Sequence, residues 1–452
     1  MVDLDYDRLT AELDGIRRAA GVPGIAVEVS IGDRHLSICT GTTAVDNGET
    51  LTRESKFTTL CLIKFLVSLL ALDLAHKKVI ELDDPLQRHI PEVACSSKGH
   101  AIKLSYLLSL SAGYKGLHID DVSEWLAWGE RECIEYFNRT PMLFRPGTVV
   151  NEDHLGHALL GCAIERTTGK SVGTLLRENL FEPLGITTST VHRDVEAGIA
   201  VAGYQFNNQR ALTEFRQTAH VGPAISSSLS RMTMSVSDLA AILRSINGGS
   251  SGQFSFKEIG AALDKEVVAV PGTVGARQDP AWTPKAFSTG CAHFGNGMKG
   301  YLAVGAGQSW AVLTNISRSI SIVVAMNVGS PVVRNHVVRL ICSHIDQTVP
   351  PRLGEEFGPE AYGMDFPTFT SPFGAEDLNG TYAGNQAGAV SVTASPGLIV
   401  VRNDRFSLTI LEVQRKRMAI DTKTPIPIAF FAEPSSGAPG LMLGLSAYRK
   451  VA

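Results

Sequence analysis

An apolar segment at residues 60–75 limits the possible folds of this chain more than any other feature. Lys64 and Asp73 are the charged residues within it, and it is shorter than the ~20 residues that a membrane-spanning helix needs. Residues 57–77 are therefore predicted to form one helix that is apolar on nearly every side. Such a helix is stable only when it is surrounded by protein, so we expect it at the centre of the core.

Alternating and β-branched segments lie on both sides of this helix in the sequence. Residues 22–49 alternate around a Gly-Asp pair and predict a hairpin of two strands. Residues 301–314 and 320–327 predict further strands, and a helix is predicted at 332–345. A sheet is thus expected to receive strands from both ends of the chain.

The chain of 452 residues is longer than one hydrophobic core usually is, so two units are expected. A large α+β domain is predicted at 1–348, with a subdomain of short helices at about 80–220. Residues 349–374 are rich in Pro, Gly, Phe and acid and predict a linker. Residues 375–452 contain short apolar runs between turn residues, which predict a small all-β, barrel-like C-terminal domain.

Charge and cysteine content indicate the kind of partner. With 41 Lys+Arg against 45 Asp+Glu and no basic run, the sequence gives no sign of a nucleic-acid partner. The N-terminus is acidic and has helical spacing through Leu9, Leu13 and Ile16, so a helix is predicted there and neither a signal peptide nor a membrane anchor is expected. The seven cysteines are scattered without paired spacing, which predicts free thiols in a reducing cytoplasm. A small molecule or another protein is therefore the expected partner, with a small acyl substrate as the first choice.

The segment from Phe57 to Lys64 reads Phe-Thr-Thr-Leu-Cys-Leu-Ile-Lys. It resembles the serine-x-x-lysine motif of the class C β-lactamases and related esterases, in which the serine lies four residues after a phenylalanine. Five further segments resemble that family in the same order along the chain. They are residues 82–91, 107–113, 145–148, 181–185 and 228–239. The chain is therefore similar to the serine β-lactamases and penicillin-binding proteins, and the resemblance implies their α+β fold.

The positions that carry catalysis in that family differ here. Cys61 stands where the family has its nucleophilic serine, while the lysine is kept as Lys64. The two outer residues of the family's tyrosine-x-asparagine motif fall on Glu152 and His154. The resemblance thus implies a cleft that contains all four residues, with chemistry that differs from that of its relatives.

The family's third motif is histidine-x-glycine or lysine-threonine-glycine. It aligns best with Ala303-Val304-Gly305 and less well with residues 296–298, and neither alignment supplies the histidine. Without that donor, the carboxylate and developing oxyanion of a β-lactam have no evident partner, so β-lactam hydrolysis is not expected. The substrate-binding positions that the resemblance implies near this motif are Gly305, Gly307, Gln308 and Ser309.

Cys61 is the candidate nucleophile. If it lies at the start of a helix beside Lys64, the helix dipole and the neighbouring amine both favour the thiolate. His154, oriented by Glu152 two residues earlier, is the candidate base and acid, and Lys64 then holds charge and position. By analogy with the family, the backbone N–H of Cys61 and one near residues 307–309 form the oxyanion hole.

Each candidate also has a purely structural interpretation. Cys61 could be a small apolar residue of the core. Glu152 and His154 could be loop residues beside an Asp153 that caps the following helix. His154 and His157 form an H-x-x-H pair without a further Cys/His cluster, so neither a metal site nor another cofactor is expected.

Aromatic residues occur in the stretch that covers the cleft mouth in relatives. Trp125 and Trp128 are the candidates for substrate contact, with Tyr136 nearby in the sequence. They form either an apolar wall for an acyl chain or part of the packing of the helical subdomain.

Three functions remain open from the sequence. The first is a cytoplasmic thioesterase, cyclase or acyltransferase of specialised metabolism that works through a Cys61 acyl-thioester. Its small acyl substrate would be free or carried on an acyl carrier protein or coenzyme A. The second is an esterase or amidase, and the third is a non-covalent acid–base catalyst, for example of ring closure, or a ligand-binding protein.

Overall fold

The computed structural model describes most residues up to Asp346 and parts of the chain beyond it. The described ranges are 4–46, 48–94, 100–117, 125, 127–187, 201–206, 212–215, 225, 230–248, 254–270, 284–294, 297–346, 368–369, 375–384, 389–395, 398–402, 407–413, 416–420, 428–432, 436–437, 439–443 and 446–451.

Strands from both ends of the large domain form its sheet, as the alternating segments predict. In chain order the strands of this domain are β1 (Gly24–Ile31), β2 (Arg34–Gly41), β3 (Phe57–Leu60), β4 (Gly203–Phe206), β5 (Leu212–Phe215), β6 (Ser230–Met234), β7 (Val268–Ala269), β8 (Pro284–Phe287), β9 (Ala292–Phe294), β10 (Lys299–Gly305), β11 (Gln308–Asn315) and β12 (Ile320–Met326). Eight of them form one antiparallel sheet in the order β2-β1-β12-β11-β10-β9-β8-β7. The N-terminal hairpin joins the C-terminal strands through β1 and β12, in register from Ile25↔Met326 to Ile31↔Ile320.

The helices of the same domain differ in length and in what they cover. They are α1 (Tyr6–Ala19), α2 (Ile63–His76), α3 (Leu86–His89), α4 (Leu104–Leu108), α5 (Glu130–Arg139), α6 (Leu155–Thr168), α7 (Val172–Leu176), α8 (Val236–Gly248), α9 (Phe256–Asp264) and α10 (Pro331–Ile345). A π-helical turn at Arg177–Phe181 and a 3-10 turn at Glu182–Leu184 follow α7. The predicted helix at 332–345 is α10, and α1 has its predicted apolar positions buried.

The two faces of the main sheet are covered by different helices. Side chains alternate across a strand, so Val323 of β12 packs with α2, α8 and α9, whereas Val324 packs with α1 and α10. The helices α3 to α7 lie beside α2 and bury their apolar faces in the same cluster as Val323. This arrangement of a sheet between helices confirms the predicted α+β fold class.

The predicted helix at 57–77 is wrong at its beginning. Phe57–Leu60 is instead the strand β3, which pairs antiparallel with β6, and α2 begins only at Ile63. Cys61 therefore lies in the turn between β3 and α2 rather than inside a helix. The region predicted to be helical, 80–220, also contains the hairpin of β4 and β5.

The C-terminal region is a separate all-β unit, as predicted. After β13 (Thr368–Phe369) and the short helix α11 (Ala375–Leu378), its strands are β14 (Gly380–Gly384), β15 (Ala389–Ser395), β16 (Leu398–Arg402), β17 (Ser407–Val413), β18 (Lys416–Ile420), β19 (Ile428–Ala432), β20 (Pro439–Leu443) and β21 (Ser446–Lys450). They form one nine-stranded sheet in the order β13-β18-β17-β16-β15-β14-β21-β20-β19, and its outer strands lie against each other as in a barrel. The last two strands were not predicted. Apart from Thr368–Phe369, the predicted linker at 349–374 lies outside the described residues.

Within the ranges given above, no helix combines the length and the apolarity that crossing a membrane requires.

Candidate active site

The strand β3 holds Cys61 in place. Gln308 Oε1 accepts a hydrogen bond of 2.8 Å from the backbone N–H of Thr58. Trp310 Nε1 donates a hydrogen bond of 2.8 Å to the backbone carbonyl of the same residue, Thr58. The hydroxyl of Thr59 donates to the carbonyl of Met232 at 3.0 Å. Because both sides of β3 are bound to the main sheet or to β6, the turn that carries Cys61 has a fixed position.

Lys64 is fully buried on the first turn of α2. Its Nζ donates a hydrogen bond of 2.9 Å to the carbonyl of Asp153 and lies 3.7 Å from Oε1 of Glu152, whose side chain is 28 % exposed. A buried ammonium needs such acceptors, because the desolvation of an unpaired charge is costly. The structure thus brings Lys64 and Glu152 together, as the sequence predicts.

The side chain of Asp153 fixes the segment that supplies these acceptors. Its carboxylate accepts hydrogen bonds from the hydroxyl of Tyr114 and from the backbone N–H groups of Leu155 at 2.9 Å and Gly156 at 2.7 Å. Burial and the neighbouring carboxylate hold the pKa of Tyr114 well above its usual value, so the phenol remains a donor. The predicted capping of the following helix by Asp153 is therefore present, and it orients Glu152 in the preceding position.

Cys61 is partly exposed as a residue, and its thiol lies among charged groups. Burial raises its pKa to about 11; the charge of Lys64 opposes this shift and the charge of Glu152 adds to it. The expectation of a resting thiolate is therefore wrong, because desolvation outweighs the neighbouring cation. Cys61 therefore rests as a thiol, and a nucleophilic role would require a base that removes its proton.

His154 follows Glu152 by two residues, and its role as base stays a prediction. The residue is buried at the start of α6, and its ring stacks on Trp125 with centroids 5.3 Å apart. The charged groups that shift the pKa of Cys61 are Lys64 and Glu152. Cys61, Lys64 and Glu152 therefore lie together, and the ring of His154 packs on the neighbouring indole.

Tyr301 on β10 belongs to the same site, and the sequence reasoning missed it. It is buried, and burial first, then the charges of Glu152 and Cys61, raise its pKa well above the usual value. Tyr301 and Ala303 share one face of β10, the face that packs in the same cluster as Cys61. The sequence could have indicated Tyr301, because residues two apart on a strand share a face and Ala303 begins the segment aligned with the third motif.

The turn between β10 and β11 contains the predicted substrate-binding positions. Gly305 ends β10, and Gly307, with φ of 69°, lies in the turn where a left-handed backbone favours glycine. Gln308 and Ser309 are buried, and their side chains bind protein groups: Gln308 binds β3 and the carbonyl of Val201, and Ser309 donates to the carbonyl of Val328 at 2.7 Å. Residue 296 of the poorer alignment lies outside the described residues.

The two predicted aromatic contacts are packed within the helical region. Trp125 is buried against His154, and the partly buried Trp128 lies 5.4 Å from Tyr136 between ring centroids. Both indoles contact the cluster that surrounds α2. Their roles in substrate binding stay a prediction.

His157 faces Lys64 from the first turn of α6. Burial, and secondarily the charge of Lys64, hold its pKa well below the usual value, so the ring is neutral. It lines a small cavity with Tyr106, Asn151 and Asp153. Across the described ranges, no group of three or more His, Cys, Asp or Glu side chains is arranged to hold a metal ion.

Comparisons with known proteins agree with this architecture. The family model described as Beta-lactamase matches residues 7–341. Penicillin-binding protein 4 of Amycolatopsis lactamdurans is 28 % identical over 191 residues, which cover 41 % of this chain and 49 % of that protein. The chain thus spans about half the length of this curated relative.

Two solved structures extend the comparison. SurE has a TM-score of 0.75 at 19 % identity, with 99 % of each chain covered. The D-amino acid amidase from Ochrobactrum anthropi SV3, complexed with L-phenylalanine, has a TM-score of 0.62 at 17 % identity, with 76 % of this chain and 100 % of that chain covered. At these identities the likeness shows the fold alone.

Proposed function

This chain belongs to the β-lactamase family, and on that premise we propose that it is an acyl-transfer enzyme whose intermediate is an acyl-thioester on Cys61. The observation that carries the proposal is the position of Cys61. It lies in the turn before α2, close to a buried lysine and to a partly exposed carboxylate, Glu152. A cysteine that only filled the core would need neither group.

Glu152 is the base in this proposal, in place of the His154 expected from the sequence. The sulfur of Cys61 attacks the acyl carbonyl carbon while its proton passes to the carboxylate of Glu152. The carbonyl oxygen becomes an oxyanion, the bond to the leaving group then breaks, and Glu152 releases its proton to that group or to solvent. In the second half, Glu152 takes the proton of the acceptor that attacks the thioester, and Cys61 leaves and regains a proton.

Lys64 supports both halves of this reaction. Its ion pair with Glu152 holds the carboxylate beside the cleft, and its charge offsets part of the negative charge that passes to sulfur. Because Lys64 is also bound to the carbonyl of Asp153, it keeps the order of the site when a substrate enters.

Acyl thioesters of coenzyme A or of an acyl carrier protein are the donors we propose. Exchange of one thiol for another leaves the kind of bond unchanged, so the donor step is close to isoenergetic. We place the enzyme in the cytoplasm, in specialised metabolism. The free thiols that support a reducing compartment are those of Cys39, Cys61, Cys133, Cys162, Cys291 and Cys342.

Hydrolysis is the second candidate, with water as the acceptor. The partial exposure of Glu152 supports it, because the carboxylate can reach solvent as well as Cys61. For this alternative we propose an amide or ester of an amino acid as substrate, by analogy with the D-amino acid amidase that shares the fold.

Steady-state turnover tests the proposal. We expect wild-type protein to release thiol from acyl-coenzyme A donors or phenolate from p-nitrophenyl esters, and Cys61→Ala to lose at least about 100-fold in rate. Cys39→Ala is the matched control, because Cys39 is also a partly exposed free thiol. Full activity of Cys61→Ala would instead support non-covalent acid–base catalysis, with Glu152 acting directly on the substrate.

A further inference from the structure

The strand β10 presents one phenol to the candidate site. Its side chains alternate: Tyr301 and Ala303 pack in the cluster that contains α2, whereas Leu302 packs against the cluster on the opposite face of the sheet. Gly305 follows two residues after Ala303. The ring of Tyr301 therefore lies on the side of the sheet where the acyl group would be bound.

The neighbouring elements bring this ring close to Cys61. β10 lies against β3, and β3 leads directly into the turn with Cys61. Cys61 packs against the same cluster that contains Tyr301. The charge effects of Glu152 and Cys61 on its phenol place Tyr301 near both residues, on the sheet side of the site.

We propose that Tyr301 is a catalytic residue that donates a proton to the leaving group when Cys61 is acylated. The inference rests on the proposed function, because it requires acyl transfer through Cys61. It extends the donors of the site beyond thioesters to those with strongly basic leaving groups, namely alkyl esters and amides.

Each proton that moves in this step has a donor and an acceptor. Glu152 takes the Cys61 proton as the carbon–sulfur bond forms. As the bond between the acyl carbon and the leaving oxygen or nitrogen breaks, Tyr301 gives its proton to that atom and receives the proton held by Glu152. The step therefore ends with a neutral phenol, an ionised Glu152 and a neutral alcohol or amine.

The environment of Tyr301 suits such a relay. Burial and the nearby charges of Glu152 and Cys61 hold its pKa well above the usual value for tyrosine. The phenol therefore stays protonated at neutral pH, and its proton moves only when a basic leaving atom and a protonated Glu152 act together. A weakly basic leaving group needs no such donor.

A leaving-group comparison tests the inference. The substrates are p-nitrophenyl butyrate, whose phenolate leaves without a proton, and ethyl butyrate, whose alkoxide needs one. For Tyr301→Phe we expect kcat/KM for the ethyl ester to fall by about 100-fold or more, and by at least about tenfold more than kcat/KM for the p-nitrophenyl ester. Tyr382→Phe is the matched control, because its buried hydroxyl binds the carbonyl of Leu378 in the C-terminal sheet.

Each outcome decides between the claims. Equal losses on both esters would assign Tyr301 a structural role and overturn the inference. Unchanged turnover of the ethyl ester by Tyr301→Phe would also overturn it. So would a wild-type enzyme that cleaves only the p-nitrophenyl ester. Turnover of the p-nitrophenyl ester that persists in Cys61→Ala, or that wild type lacks, would instead overturn the proposed function.

Discussion

The Nζ atom of Lys64 lies 3.7 Å from Oε1 of Glu152, so a fully buried cation on α2 meets a carboxylate from the segment before α6. In the resemblance to class C β-lactamases, position 152 corresponds to a tyrosine. The charge of Glu152 reaches the Cys61 thiol as well as Lys64. Positions 61 and 152 are therefore physically coupled, since the charge of Glu152 adds to the rise that burial causes in the pKa of Cys61.

Alkylation of Cys61 should depend on pH in a way that reports this coupling. Because burial raises the pKa of the thiol to about 11, the rate of modification by iodoacetamide should rise about tenfold per pH unit between pH 7 and 10. Glu152→Gln removes a charge that raises the pKa and should speed the reaction at pH 8. Lys64→Met removes a charge that lowers the pKa and should slow it.

Peptide mass spectrometry measures these rates with an internal control. The Cys39 thiol also has a pKa raised to about 11 by burial and by the charges of Glu28 and Glu54, so its rate should not change in either variant. Rapid, pH-independent alkylation of Cys61 near pH 7 would show a resting thiolate and contradict the account.

The hydrogen bond from Tyr114 to Asp153 should matter for stability. Tyr114→Phe removes a buried donor to a carboxylate, and we expect the free energy of unfolding in urea to fall by about 1.5–3 kcal/mol. Tyr6→Phe is the control, because Tyr6 is 49 % exposed and its hydroxyl should contribute little. Equal free energies of unfolding for the two variants would show that the hydrogen bond from Tyr114 to Asp153 does not stabilise the fold, which contradicts this prediction.

Gln308 should act through the protein rather than through the substrate. Its side chain accepts from the backbone of Thr58 and donates to the carbonyl of Val201. Gln308→Ala leaves both groups unsatisfied and should lower the free energy of unfolding by about 2 kcal/mol or more, whereas the exposed Gln205→Ala should change it little. An unchanged unfolding free energy together with a raised KM would restore the substrate-binding role predicted from the sequence.

Local patterns were sufficient for elements that bury one regular face. The alternation around residues 32–33 predicted β1 and β2, and the spacing of Leu9, Leu13 and Ile16 predicted α1. β3 could not be predicted in this way, because its four residues continue the apolar run of α2. The strand depends on Gln308 and Trp310, which lie about 250 residues away in the sequence.

The aligned motifs predicted which residues lie in the site, but they did not predict the properties that these residues acquire through burial. Aligned motifs led to Cys61, Lys64 and Glu152, which the structure brings together. The raised pKa of Cys61 is a property of the folded environment that no spacing reveals. Tyr301 joins the site only through the order of strands in the sheet, which the sequence did not specify.

Trapping of the acyl-enzyme tests the central claim most directly. Wild-type protein is mixed with acyl-coenzyme A donors of increasing chain length, quenched in acid, and measured as intact protein and as peptides. The account predicts a mass increase of one acyl group, located on the peptide that contains Cys61, present in Cys39→Ala and absent in Cys61→Ala. Turnover without any adduct, or an adduct of equal amount in Cys61→Ala, would contradict it.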